Sequence, residues 1–223
     1  MKLCSETISI LKNFSTINKS IAFDGGNTIK TISPQRTVLA EATIAESINQ
    51  PFAVYDLSKF LAILSMMPDA DIELGTTSMK ITSDDRTVKY AYCDRDMIEA
   101  PPAGKSIKVD SSAATFNLSR ESFVELMKAL GVLAVPNLVF LGKEGKLIGR
   151  VTQIDNRLSN SFDVSVGETA ATFAAVINVD NLRLIPDDYK VTLSADGVVA
   201  LFEAQSVPLK YWVALESTSS FSS

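Results

Sequence analysis

The sequence predicts an α+β protein built from two similar domains, each with two helices packed on antiparallel sheets. Three observations carry this. A strand that feeds a capped helix and stops at a proline occurs twice, as FAVYDLSKFLAILSMMP over Phe52–Pro68 and as FAAVINVDNLRLIP over Phe173–Pro186. Around both copies, short extended runs alternate with turn residues in the manner of antiparallel meanders. The 223 residues suffice for two units of about 110, each able to bury its own core.

Taken in order, the first helix is expected from about Ser5 to Asn18. Ile10, Phe14 and Ile17 fall on one side of a 3.6-residue wheel, with Leu3 upstream and Leu11 at the flank. Ser5, Ser9, Lys12, Thr16 and, beyond them, Lys19 form an opposite face with no acid. Extended runs follow at Ile21–Phe23, Thr28–Ile32 and Val38–Ile44, with Asp24-Gly25-Gly26-Asn27 read as a hairpin between the first two. In the first copy of the repeated motif Asp56 is the N-cap, Leu57, Phe60, Leu61 and Leu64 form the buried stripe, and Pro68 ends it. Strands at Ile72–Leu74, Met79–Thr82 and Thr87–Tyr92 complete the unit. Periodicity then stops from Asp94 to about Ala114, where Pro101-Pro102 and small polar residues give linker composition.

The second unit restarts with a helix capped by Ser119, striped by Phe123, Leu126, Met127 and Leu130, and stopped at Gly131. Strands are expected at Leu138–Leu141, Leu147–Thr152 across a Lys143-Glu144-Gly145-Lys146 hairpin, and roughly Arg157–Val166. The second motif copy follows, capped by Asn178, with Val179 and Leu182 in a fourth helix. Val191–Ser194, Val198–Glu203 and Leu209–Leu215 close the chain. Leu11 aligns with Leu126, Pro68-Asp69 with Pro186-Asp187, and Lys89-Tyr90 with Lys210-Tyr211. The expected organisation is a domain over 1–94, a connector over 95–114 and a second domain over 115–223.

Composition narrows the chemistry. There is no histidine, so His-based catalysis is excluded and no His-containing metal set exists. Cys4 and Cys93 are single and unpatterned, as expected of free thiols in a reducing compartment. No phosphate-binding glycine loop, nucleophile elbow or metal-ligand cluster is present, and the acid pairs Asp84-Asp85 and Asp187-Asp188 read as turn residues. The expectation is a protein that is not an enzyme and needs no cofactor or metal. The N-terminus lacks the apolar core of a signal peptide and no run reaches the ~20 residues of a membrane span, so a cytoplasmic, membrane-free protein is expected.

A net charge of −5 argues against a general nucleic-acid coat. The helices nevertheless carry outward cations: Lys12 and Lys19, Lys59, Lys128 flanked by Arg120, and Arg183. Converging on one surface they would track a phosphate backbone; the alternative is a set of scattered solvated charges, since Glu121 and Glu125 share the third helix's outer face.

The stretches MKL at the start, LKNFSTIN at Leu11–Asn18, VYDLSKFLAILS at Val54–Ser65, KEGK at Lys143–Lys146 and YWVALES at Tyr211–Ser217 resemble, in order and spacing, the sliding clamps of DNA replication. The likeness is to the clamps of T-even-type tailed bacteriophages, a family similar in architecture to proliferating cell nuclear antigen. It implies the DNA-clamp fold, a homotrimeric ring of six domains, helices lining a central hole around duplex DNA, and sheets continuing across subunit boundaries. By element order it places Thr87, Val88, Tyr90 and Tyr92 of one chain against Arg157, Phe162 and Val164 of the next. It further implies a pocket for a partner's C-terminal hydrophobic peptide at Ile107, Val109 and Leu215, where the alternative is that these residues only pin the connector. The implied partners are the DNA polymerase, an ATP-dependent clamp loader and late-transcription factors, in the cytoplasm of an infected bacterium. The competing reading is a two-domain β-rich virion or scaffold protein whose repeat serves assembly.

Overall fold

The computed structural model describes residues 1–102, 107, 109 and 111–222. The chain divides into two compact units, Met1–Lys105 and Ser106–Ser223.

The first unit opens with α1 (Ser5–Ile17), which buries Thr7, Ile10, Leu11, Phe14 and Ile17. Its first turn is held from two sides. The Cys4 thiol accepts the Thr7 N–H at 3.5 Å, while the Glu46 carboxylate accepts the Cys4 N–H and, at 2.6 Å, the Thr7 hydroxyl. Burial alone would raise the Glu46 pKa, but the Thr7 and Cys4 donors outweigh it and the carboxyl sits below its ordinary value. At the other end Asn18 donates to the Ile32 and Glu99 carbonyls, both at 2.9 Å, and stops the helix.

Then come β1 (Ile21–Phe23), β2 (Gly26–Ile32), β3 (Val38–Ile48) and β4 (Phe52–Val54). β2 and β3 form an antiparallel pair on which α1 packs. The expected β1–β2 hairpin does not form, because β1 pairs with β4, with Phe23 stacked on Phe52 at 4.4 Å. Arg95 is ion-paired with Asp24, and Gly25 and Gly26 at φ 89° and 76° turn the chain out of β1 rather than back along it.

α2 (Leu57–Ser65) begins where Asp56 accepts the Lys59 N–H at 2.8 Å, and it buries Leu57, Phe60, Leu61 and Leu64 against the unit's core. β5 (Asp71–Leu74), β6 (Ser78–Ser83) and β7 (Arg86–Ala91) then make a three-stranded antiparallel sheet. Met1 runs beside β5, exchanging backbone hydrogen bonds with Ile72 at 2.8 and 2.9 Å.

The second unit contains β8 (Ser112–Leu118), α3 (Arg120–Leu133), β9 (Asn137–Lys143), β10 (Lys146–Thr152), β11 (Phe162–Glu168) and β12 (Phe173–Asn178). β13 (Tyr189–Ser194), β14 (Val199–Ala204), β15 (Leu209–Ala214) and β16 (Ser220–Phe221) follow. One sheet has the order β11-β10-β9-β12-β16, and β8, β13, β14 and β15 pair in that order in another. α3 lies on β9, β10 and β11. It buries Phe123, Leu126 and Leu130, and Phe123 meets Tyr189 edge-on at 5.6 Å.

Four expectations are corrected here. β8 precedes the helix in a stretch read as structureless, because its partner β13 supplies the pairing that its small residues do not announce. Gly131 lies inside α3, which continues to Leu133 and ends on Ala134 at φ 50°. Arg157 sits in the loop before β11, not on the strand. The fourth helix is a single 3₁₀ turn at Val179–Asn181. Two buried tyrosines explain this last change: the Tyr189 hydroxyl donates to the Ile185 carbonyl, and the Ile185 N–H donates to the Tyr211 oxygen at 3.3 Å. The Ile185 N–H is thereby drawn from any helical ladder, while its carbonyl, just before Pro186, gains a donor that a helix ending there would not supply. Burial raises both phenol pKa values above the ordinary range.

The units repeat one plan. Leu11 and Leu126 are both fully buried on the leading helix, and Lys89-Tyr90 and Lys210-Tyr211 both lie on the third strand of a meander. Met1 flanks β5 as β8 flanks β13.

Candidate nucleic-acid interface

The buried stripes that fix α1 and α2 also fix what those helices expose. With Ile10, Phe14 and Ile17 turned inward, Ser5, Ser9, Lys12 and Thr16 occupy the solvent face of α1, followed by exposed Lys19. α2 packs against α1, and the Leu57 N–H donates to the Lys19 carbonyl at 2.7 Å. Lys12, Lys19 and Lys59 therefore stand on the open sides of two neighbouring helices. The Lys19 ammonium lies 5.9 Å from the ring centre of Tyr55, which is itself half exposed.

In the second unit Arg120 and Lys128 are exposed on α3 together with Glu121 and Glu125. The Arg120 N–H donates to Asp188 at 2.7 Å, which holds the helix start. Arg183 is exposed but follows the 3₁₀ turn instead of riding a helix, and its Nε donates to the Asp180 carbonyl at 3.1 Å.

Among the described residues, ion pairing neutralises several strand cations, though not Lys80 and Lys89, and none of those on the helices. Lys30 with Glu41, Arg150 with Asp163 and Lys210 with Glu203 are neutralised on strands, at 2.8, 2.6 and 2.7 Å. Lys12, Lys19, Lys59, Arg120 and Lys128 enter no ion pair among the described residues. A cation without an internal acid keeps its full attraction for an external anion. Sequence periodicity finds these residues, but not the ring under Lys19, because Tyr55 belongs to no helix. The helical wheel also sets Met66 beside Lys59, where it is 70% exposed, but does not anticipate that Val124 and Val132 are 43% and 75% exposed on α3.

The expected subunit-contact residues fall on two sheet edges. β7 ends its sheet and β11 ends another, each paired on one side only among the described residues. Thr87 is exposed and Val88, Tyr90, Phe162 and Val164 are half-buried; Tyr92 lies just past β7, where its N–H donates to the Thr77 carbonyl at 3.1 Å. Of the expected peptide-pocket residues, Ile107 is exposed, and Val109 and Leu215 are half-buried, the Leu215 N–H donating to the Val198 carbonyl at 2.9 Å. A recess of about 280 Å³ in the second unit is lined by Ala113, Ala171, Phe173, Ala195 and Phe221 among others, and by none of those three. No group of His, Cys, Asp and Glu able to hold a metal occurs among the described residues. No helix there is long and apolar enough to cross a membrane.

Residues 5–97 match the family model described as DNA polymerase processivity factor. Over 98% of its length the chain is 32% identical to the sliding clamp of Escherichia phage RB69, covering 98% of that protein. It is 31% identical to the sliding clamp of Enterobacteria phage T4, again with 98% of each covered. Among solved structures, the PCNA2–PCNA3 complex of Sulfolobus tokodaii is similar with a TM-score of 0.69 at 13% identity, over 94% of this chain and 95% of that one. At that identity the likeness concerns the fold.

Proposed function

The chain belongs to the sliding-clamp family of DNA polymerase processivity factors, and from that premise we propose that three copies close into a ring around duplex DNA and tether the replicative polymerase. The observation that carries the reading is the set of helix cations without internal acids in a chain of net charge −5. Each subunit contributes two clamp domains, 1–94 and 115–223, joined by a connector over 95–114 whose last residues, from Ser112, enter β8 of the second domain. Lys12, Lys19, Lys59, Arg120, Lys128 and Arg183 face the phosphates, three times over. The acidic remainder repels DNA from the outside.

Retention in such a ring comes from topology. A closed ring cannot leave a duplex sideways, so its phosphate contacts are few, exposed and screened within about 8 Å at physiological salt, which permits sliding. Thr87, Val88, Tyr90 and Tyr92 of one subunit meet Phe162, Val164 and the Arg157 loop of the next, a closure that removes two open strand edges. The ring performs no catalysis; an ATP-dependent loader opens it. Polymerase, loader and late-transcription factors dock C-terminal hydrophobic peptides at Ile107, Val109 and Leu215. The site of action is the cytoplasm of an infected bacterium.

Light scattering should give three times the 24.1 kDa chain mass. Loaded protein should persist on nicked circles and run off once they are linearised. A stable monomer that does not stimulate a polymerase, or equal retention on circular and linear DNA, would overturn the proposal.

A further inference from the structure

The outer face of the first unit's three-stranded sheet carries an incompletely compensated charge row. Its register sets Glu73 opposite Lys80, and Lys80 opposite Lys89. Neither lysine is in an ion pair among the described residues. Like charges directly opposite on a sheet face are destabilising unless an anion flanks them. Glu73 flanks Lys80, but Lys89 is on β7, whose other side is open.

The edge of the second unit carries the complementary row. On β11 the residues Phe162, Val164 and Val166 are half-buried, while Asp163 and Ser165 point outward. Val166 lies near Gly149, as does Leu126 of α3, so the half-buried set is on the helix-covered side. Asp163 accepts two hydrogen bonds from Arg150, at 2.7 and 2.6 Å, its opposite number on β10, and its far flank is open. On β7 the helix side is likewise Val88 and Tyr90, since Tyr90 meets Phe60 of α2 edge-on at 5.5 Å.

Resting on the ring reading, we propose that the subunit junction is an antiparallel β7–β11 pairing whose register is set by Lys89 of one copy standing opposite Asp163 of the next. The row then reads Glu73, Lys80, Lys89, Asp163, Arg150, and both open flanks receive an opposite charge. On the helix side the same register places Tyr90 against Phe162 and Val88 against Val164, aromatic and β-branched pairs suited to cross-strand packing. A shift of one residue carries these apolar groups to the outer face. A shift of two leaves them inside, because Val164 also suits Tyr90, but it sets Lys89 against Ser165 or Ser161 and Asp163 against Ala91 or Thr87. Charge therefore selects the register among the apolar-compatible ones.

Cysteine pairs read the register directly, because a disulfide spans only directly opposed residues. In a Cys4→Ser, Cys93→Ser background, Thr87→Cys with Ser165→Cys should oxidise to a covalently closed trimer. Val88→Cys with Val166→Cys and Val88→Cys with Phe162→Cys, which report the registers on either side and leave Lys89 and Asp163 in place, should not. Linking of either offset pair, or no linking by the first pair in a protein that is trimeric by light scattering, overturns the register and leaves the ring standing; a monomeric parent protein overturns the ring itself. Lys89→Glu should weaken the trimer about two- to fivefold at each junction. It should not lower the melting temperature of the dissociated chain, where the introduced carboxylate would gain Lys80 as a partner. Unchanged trimer affinity also counts against the pairing.

Discussion

Alanine in place of Gly142 would put a Cβ 2.5 Å from the Ala171 carbonyl oxygen and 2.6 Å from Cε1 of Phe173. Carbon contacts are comfortable near 3.5–4.0 Å, so the overlap is about 1 Å, and one of the clashing atoms is backbone that cannot rotate away. Phe173 is buried and stacks on Phe221 at 6.0 Å, so its ring is held on the far side by the C-terminal strand. Overpacking of this kind costs about 1–3 kcal/mol, and the backbone contact places Gly142→Ala at the upper end. In a unit of this size the loss should lower the melting temperature by roughly 10 °C.

The same change at Gly131 has the opposite sign. Gly131 is inside α3, exposed, without a positive φ, and nothing lies within 4 Å of its would-be Cβ. Gly131→Ala should therefore stabilise the second unit by about 0.5–1 kcal/mol through helix propensity, a rise of a few degrees. Calorimetry on the two variants side by side is the assay. A Gly131→Ala protein that melts lower than its parent would return Gly131 to the role of a left-handed helix stop, and a Gly142→Ala protein that melts unchanged would refute the packing around β9.

Lys12→Glu combined with Lys59→Glu should leave the trimer mass intact and sharply reduce polymerase stimulation on nicked circles; normal stimulation would show that the DNA face lies elsewhere. Asp56→Ala should cost about 1 kcal/mol by removing the acceptor for the Lys59 N–H, read as a lower urea midpoint for the first unit. Asp163 is held below the ordinary carboxylate pKa by its hydrogen bonds from Arg150, and Glu46 by its Thr7 and Cys4 donors against the effect of burial. Both contributions are fully present above the unfolded pKa of about 4 and vanish as pH falls through the lower folded values. Stability should thus decline with acid below about pH 4, and Asp163→Asn should flatten that decline.

Elements with their own periodicity and caps were legible in the chain: α2 and α3 begin at their N-caps Asp56 and Ser119, and α1 starts at Ser5 as its inward stripe requires, behind a Cys4 cap that the sequence does not announce. What was not legible depends on partners remote in sequence. β8 exists because β13 pairs with it, β1 chooses β4 over the adjacent β2, and the second motif copy loses its helix to the hydroxyls of Tyr189 and Tyr211. Tyr211 lies 32 residues beyond Val179, outside any local window. The candidate interface shows the same division. Periodicity placed Lys12, Lys59 and Lys128 on open helix faces, whereas the internal acids that neutralise Lys30, Arg150 and Lys210 come from neighbouring strands.

The exposed apolar residues on the cationic helices acquire a role from this charge arrangement. An acid that neutralises a helix lysine most effectively stands four residues away. Those positions are Ile8 and Thr16 around Lys12, Tyr55 and Ile63 around Lys59, and Val124 and Val132 around Lys128; none is acidic. Three residues away, Asp56 is engaged in capping α2, which leaves Glu125 as the near acid on α3. Of these, Thr16, Tyr55, Val124 and Val132 are exposed and Ile8 and Ile63 half-buried; with no carboxylate at any of them the helices forgo a small gain in stability and the ammonium groups have no acid four residues away. Val124→Glu separates the two effects. With a glutamate four residues before Lys128, the favourable orientation, the helix should gain about 0.2–0.5 kcal/mol while the Lys128 charge is cancelled. Melting should hold or rise as polymerase stimulation falls, and Val124→Gln should leave stimulation unchanged. If Val124→Glu and Val124→Gln stimulate equally, the valine is there for some other contact and the charge argument for α3 fails.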